Sequence, residues 1–176
     1  MKLIAHPASP ASAVSAVEAE IIADDGDRML LRYRVRGPLK LPELESPGRA
    51  DDLWKTTCLE LFLQPAGSDS YVEFNFSPSC RWAAYDFDNY RRGRRDKLLS
   101  IEPHIERVDP ADDNSDETFD YVFDVDVELS DFPKVPLRMG ITAVIEEPNG
   151  TISYWALAHP EGKADFHDPA CFALTL

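Results

Sequence analysis

The chain has 176 residues, enough for one domain with a substantial core, and its 44% hydrophobic and 10% aromatic content excludes a disordered polymer. Its formal charge of −14, from 32 acidic against 18 basic side chains, repels phosphate backbones and anionic lipid surfaces, so neither nucleic acid nor a membrane is expected as a partner. Cys58, Cys80 and Cys171 are odd in number and scattered, which excludes a disulfide framework and gives no zinc-site spacing.

Lys2 is followed by only Leu3, Ile4 and Ala5 before His6 and Pro7. A secretory signal needs a longer apolar run, roughly 7–15 residues. No stretch approaches the roughly 18 apolar residues of a membrane span. Together with reduced thiols, these features give the expectation of a cytoplasmic protein.

Along the chain, period-two alternation dominates, the mark of half-buried strands. Ala11–Glu20 has helical propensity, but Ser12 and Ser15 interrupt it and no apolar stripe forms. A strand is predicted at Glu18–Ala23. In Met29–Arg36, Leu31, Tyr33 and Val35 alternate with Arg32, Arg34 and Arg36. Gly37–Arg49, with Pro38, Pro42 and Pro47, reads as a long loop. Further strands are predicted at Cys58–Gln64, Tyr71–Ser77, Trp82–Phe87 and Leu98–Glu106. Asp109–Glu117 reads as an acidic loop; its Asp112–Asp116 run lacks the glycine and distal glutamate of a calcium loop and is assigned as a solvated turn. Between Phe119 and Leu129 the apolar residues face one way and Asp120, Asp124, Asp126 and Glu128 the other. Leu137–Glu146 and Thr151–Leu157 flank Pro148-Asn149-Gly150 and read as a hairpin. A last strand is predicted at Cys171–Leu176. About nine or ten strands without a convincing helix give an all-β fold, an antiparallel β-sandwich or jelly roll, as a single domain over residues 1–176.

Three segments concentrate residues able to do chemistry. In Cys58–Gln64, Leu59, Leu61 and Leu63 form the core face, while Cys58, Glu60, Phe62 and Gln64 share the other. If this strand pairs with Tyr71–Ser77 through the short Ala66–Ser70 loop, Glu60, Glu73 and Asn75 come together. Such a face can hydrogen-bond a polyhydroxylated ligand. It can equally be an ordinary solvated outer face.

The segment from Trp82 to Arg95 ends in Arg91, Arg92, Arg94 and Arg95 around Gly93. These guanidinium groups can clamp an anion, or pair with part of the acidic excess. His159 and His167 with Asp165 and Asp168 match no compact ligand motif, so no metal site and no cofactor are expected. Glu60 and Glu73 could be a glycosidase pair, but nothing nearby separates an acid from a base role.

The blocks LWKTTCLELFL, YVEFNFSPSCRWAAYDFDNYRRG and ISYWALAHPEGKADFHDPACFAL resemble the bacterial DOMON-like proteins, a group akin to the family-nine carbohydrate-binding modules. The resemblance runs from about Leu30 to the end. It implies a β-sandwich and a ligand-binding role, with a sugar held between aromatic rings in one branch and haem bound in another. Carried onto this chain, it makes Trp54 and Trp155 the stacking pair, with Glu60, Glu73 and Asn75 as polar partners and Arg91 beside them. Large aromatics also serve as core anchors, so both placements stay open for the two tryptophans. The expectation is a non-catalytic module for a small carbohydrate or related polar metabolite. The alternatives are a haem-binding domain, a glycoside-active enzyme and a protein-interaction domain.

Overall fold

The computed structural model describes all of residues 1–176. In chain order its strands are β1 (Lys2–Ala5), β2 (Ala16–Asp24), β3 (Arg28–Arg36), β4 (Gly48–Arg49), β5 (Cys58–Pro65), β6 (Tyr71–Phe76) and β7 (Arg81–Phe87). There follow β8 (Arg95–Asp96), β9 (His104–Val108), β10 (Tyr121–Glu128), β11 (Leu137–Glu146), β12 (Ile152–Ala156) and β13 (Leu174–Thr175). The helical content is three 3-10 turns at Leu53–Lys55, Pro110–Asp112 and Pro169–Cys171. No helix is long and apolar enough to cross a membrane.

The strands hydrogen-bond in the order β4-β7-β6-β5-β11-β12-β1-β2-β3-β10-β9, with β8 beside β7 and β13 beside β11. Every pairing is antiparallel except β4 with β7. β1 is the hinge of the arrangement. It pairs with β12 on one side, Ile4 opposite Ala156, and with β2 on the other, Leu3 opposite Val17. The ladder therefore curls, and its two halves face each other as the layers of an all-β sandwich. We call β4–β7, β11 and β12 the front sheet, and β2, β3, β9 and β10 the back sheet.

The main core fills the space between these layers. Met29, Leu31, Tyr33 and Val35 of β3 meet Leu59, Leu61 and Leu63 of β5, Phe74 and Phe76 of β6, and Met139 and Ile141 of β11. These are the inward positions that the alternation selects. Burying such side chains supplies most of the favourable free energy of folding.

The front sheet is buried on its outer face as well. A second apolar cluster there contains Cys58, Phe62, Tyr71, Tyr85, Phe87, Val144, Phe166 and Phe172. Phe166, Cys171 and Phe172 come from the chain between β12 and β13, which folds back over the sheet. Gly140 of β11 permits this approach. A Cβ there would lie 2.8 Å from Phe172 Cδ1 and 3.1 Å from the Cys171 carbonyl oxygen. β5 and β6 are consequently buried along nearly their whole length on both faces.

Several local expectations change. β1, β4 and β8 fall outside the predicted strands, β4 at the end of the Gly37–Arg49 segment that reads as a loop. The predicted strand at Leu98–Glu106 begins only at His104; Leu98 is 90% exposed, and the Ser100 N–H and Oγ instead donate to Asp131, each at 2.7 Å. The predicted strand at Cys171–Leu176 shrinks to β13 after a 3-10 turn. Asp113, assigned to a solvated turn, is buried as a side chain and bonds both Arg32 (3.1 Å) and Arg34 (2.7 Å) on the back sheet. Ala11–Glu20 is not helical, as the missing apolar stripe suggested: Ala16–Glu20 runs in β2 paired with β3, and the Glu147 carboxylate accepts from the backbone N–H groups of Ser12, Ala13 and Val14 just before it.

Candidate functional site

On the outer face of the front sheet lies a cleft of about 390 Å³. That volume falls within the range of small-molecule sites. Strand pleat sets its floor. Glu60 and Phe62 of β5, Glu73 of β6, Tyr85 and Phe87 of β7, Val144 of β11 and Tyr154 of β12 all point outward into it. In the β5–β6 register Glu60 is opposite Asn75 and Phe62 opposite Glu73, so the two carboxyls are diagonal neighbours on one face.

The walls come from three connections. The first is the turn Leu53–Lys55, which places Trp54 at the mouth with its side chain 47% exposed. The second is the turn between β7 and β8, which supplies Arg91 and Arg94. The third is the segment after β12, which supplies Asp165, Phe166 and His167. Three non-glycine residues have a left-handed backbone: Cys80, Asp52 (φ 63°), two residues before the lining Trp54, and Arg91 (φ 53°), which itself lines the cleft. Left-handed backbone at a non-glycine residue costs free energy and concentrates at functional sites.

The walls are tied to one another. Arg91 Nη2 donates to Asp165 Oδ1 at 2.7 Å, Tyr90 Oη donates to Asp165 Oδ2, and the His167 N–H donates to Asp165 Oδ1 at 3.1 Å. Burial pushes the Asp165 carboxyl up, but the hydrogen bonds from Arg91 and Tyr90 outweigh it and hold it below the usual carboxylate range. Across the cleft the Arg94 guanidinium sits 3.9 Å over the Tyr85 ring, and Tyr85 Oη donates to Asp51 at 2.6 Å. Stacking of this kind fixes a guanidinium plane and leaves its edge free to bond.

The floor is chemically distinct from the walls. Glu60 is 3% exposed and Glu73 7% exposed. Thr142 Oγ1 donates to Glu60 Oε2 at 3.1 Å, and Asn75 Nδ2 donates to Glu73 Oε1 at 2.7 Å. Burial, and then the neighbouring Glu73 charge, pushes the Glu60 carboxyl well above its usual range. Burial likewise raises Glu73, against the pull of Asn75, Arg94 and Arg91. His167 shares a hydrogen bond of 2.8 Å between Nδ1 and Tyr71 Oη, and its Nε2 lies 3.7 Å from Glu73 Oε2. Burial, then the nearby Arg91 charge, lowers the imidazole pKa to about 4, so near neutrality His167 carries no charge and this contact is no ion pair.

No protein-family model matches the chain, and no curated protein matches it. Its fold is similar to that of a solved "putative carbohydrate-binding protein" from Bacteroides uniformis ATCC 8492. The TM-score is 0.66 at 16% identity, over 97% of this chain and 82% of that one. At this identity the likeness shows the fold alone.

Of the six residues singled out in the sequence, Trp54, Glu60, Glu73 and Arg91 line the cleft together. Asn75 does not line it; it stands behind Glu73 as the donor that orients that carboxyl. Trp155 is placed elsewhere. It is 6% exposed, belongs to the main core between the sheets, and donates Nε1–H to Ser153 Oγ at 2.9 Å. The two tryptophans therefore do not form a clamp; strand pleat turns Tyr154 and not Trp155 toward the cleft. Tyr85, Arg94, Asp165 and His167 complete the lining. For the first two a signal was available in the sequence: alternation along β7 for Tyr85, and the density of the arginine run for Arg94. The segment carrying Asp165 and His167 has no periodicity to reveal where it folds back. No group of three or more metal-ligating side chains is assembled, so His159 and His167 with Asp165 and Asp168 do not form a site.

Proposed function

We propose that the protein is a non-catalytic binding module whose front-sheet cleft takes a small carbohydrate or a related polar metabolite. The carrying observation is the half-exposed Trp54 indole at the mouth of a cleft whose floor holds two buried carboxyls. An apolar ring face suits the C–H surface of a sugar, and carboxyl and imidazole groups facing the cleft suit its hydroxyls. The resemblance of three sequence blocks to DOMON-like proteins and family-nine carbohydrate-binding modules supports the reading. So does the fold likeness to the Bacteroides "putative carbohydrate-binding protein". Trp54 and Tyr154 supply ring surface, Glu60 and Glu73 accept hydroxyl hydrogens, and Arg91 braces the wall through Asp165.

The test is a thermal-shift screen of the purified chain against monosaccharides, disaccharides, sugar phosphates, nucleotide sugars and hemin. A ligand at about a hundred times its dissociation constant adds roughly 2.7 kcal/mol of stability. A shift with one sugar class, lost in Trp54→Ala, is the expected result. A shift with hemin and a Soret band supports haem binding instead. No shift with any compound turns the reading toward a protein-interaction role.

A second reading has one specific observation behind it. Glu60 and Glu73 are paired carboxyls in a cleft, with raised pKa values such as general acids use. A panel of chromogenic glycosides decides it: turnover abolished by Glu60→Gln makes the protein a hydrolase.

A further inference from the structure

The cleft is unevenly charged. Each guanidinium of its walls has a carboxylate to match, Arg91 with Asp165 at 2.7 Å and Arg94 with Asp51 at 3.8 Å. The two carboxyls of the floor have no cation in contact. Glu60 receives one hydrogen bond from Thr142, and no protein donor reaches its Oε1. Glu73 receives one from Asn75, and its Oε2 has only the uncharged His167 at 3.7 Å. Both side chains are more than nine-tenths buried and both line the cavity.

We infer that the ligand of this cleft is an amino sugar, held with its ammonium group against Glu60 and Glu73 and its ring beneath Trp54. This rests on the carbohydrate reading given above and narrows it.

Three physical points favour an ammonium over a hydroxyl at this spot. A buried carboxylate without a counter-charge is costly, and a neutral hydroxyl supplies a hydrogen bond but no charge. An ammonium brings three donors, enough to reach both carboxyls at once. The protein's net charge of −14 steers cations toward it and anions away.

No other neighbouring group takes over this role. Tyr71, with a pKa pushed up to about 12, and the buried Cys58 thiol both stay neutral near pH 7. His167, lowered to about 4, also stays neutral. Arg91 and Arg94 act on the floor only at a distance, from the walls where their partners hold them. The Trp54 ring face is itself favourable to a nearby cation.

The test is calorimetric titration of the whole protein near neutral pH with three related sugars: a 2-amino-2-deoxyhexose, its N-acetyl form and the neutral hexose, each in the gluco, galacto and manno series. In one series the amine is expected to bind at least about ten-fold tighter than both companions, a gap of about 1.4 kcal/mol. Its binding should release protons, read from heats in two buffers of different ionisation enthalpy. Glu60→Gln, checked for folding by circular dichroism, should remove the ten-fold gap. If that variant does not fold, a pH series on the unaltered protein replaces it: amine affinity should fall as acid protonates the floor, while neutral-sugar affinity should not. Neutral or N-acetylated sugars binding as well as the amine would overturn the inference and leave the carbohydrate reading standing. Failure of every sugar to bind the folded protein would overturn both.

Discussion

Tyr33 Oη donates a hydrogen bond of 2.8 Å to the backbone carbonyl of Glu60, so a side chain of the back sheet reaches through the core to the strand residue bearing the deepest carboxyl of the cleft. Tyr33 is fully buried, and its hydroxyl has no solvent to fall back on. Tyr33→Phe should therefore destabilise the protein by roughly 1–3 kcal/mol, measured by urea denaturation. A cost near zero would mean that the bond contributes nothing to holding β5 in place.

The two tryptophans should respond oppositely to truncation. Trp54→Ala should change stability by less than about 0.5 kcal/mol, because the side chain is half exposed and packs little. Trp155→Ala should cost about 3–5 kcal/mol by opening a hole in the main core. Acrylamide should quench the fluorescence of Trp54 and spare Trp155. Equal costs for the two substitutions would contradict their placements.

His167 should make stability fall on acidification. Its pKa is lowered to about 4 in the fold, against about 6.5 in the unfolded chain. Between those values the unfolded state binds a proton that the folded state refuses. This contribution is therefore intact above pH 6.5 and declines as the pH drops toward 4, by up to about 3 kcal/mol. Following the imidazole resonances by NMR during an acid titration measures it directly; a midpoint near 6.5 would contradict the buried placement.

Glu60 and Glu73 carry the opposite sign. Their folded pKa values are raised, chiefly by burial, so the fold retains protons that the unfolded chain gives up in the ordinary carboxylate range. Their contribution favours the fold at low pH and is lost as the pH rises through the folded values. Glu60→Gln keeps the shape and can still accept from Thr142 while removing the charge. It should raise stability near neutrality by about 1–2 kcal/mol, read from the thermal midpoint. A destabilised variant would mean that the charge is compensated within the free protein.

Asp113 bridges Arg32 and Arg34, and its pKa is held low first by the Arg34 hydrogen bond against a smaller opposing effect of burial. Asp113→Asn should cost about 2 kcal/mol at neutral pH, as expected for a charge-assisted hydrogen bond. The difference from the native chain should shrink as acid protonates the aspartate, which is the direction required of a carboxyl with a depressed folded pKa.

Much of this architecture was legible because one face of most strands is apolar and the other is not. Leu59, Leu61 and Leu63 set the inward face of β5 and leave Glu60 on the other; that Glu73 stands beside it depended on the two strands pairing through the short loop between them, as they do. The sequence left Trp155 open between a stacking role and a place in the core for a physical reason. β12 is covered on both faces, by the main core on one and by Phe166 and its neighbours on the other. Alternation of Tyr154, Trp155 and Ala156 then gives two buried sides and no way to tell them apart. Asp165 and His167 were invisible as cleft residues because an irregular segment has no period from which its direction can be inferred. Asp113 was misplaced because an acidic run gives no hint of which carboxylate will meet two arginines from a strand some eighty positions earlier in the chain.

The dual pairing of β1 has a kinetic side. Ile4 is in register with Ala156, so the seam joining the two layers links strands about 150 positions apart in the chain. Contacts of such sequence separation must await closure of a very large loop, and they slow folding. The back sheet, whose β2–β3 ribbon is local, is free to form early. The curl that brings the layers together is therefore expected late in folding, with the edges of β2 and β12 that β1 covers exposed until then. Edge-to-edge aggregation is then expected to compete with folding in the interval before β1 settles.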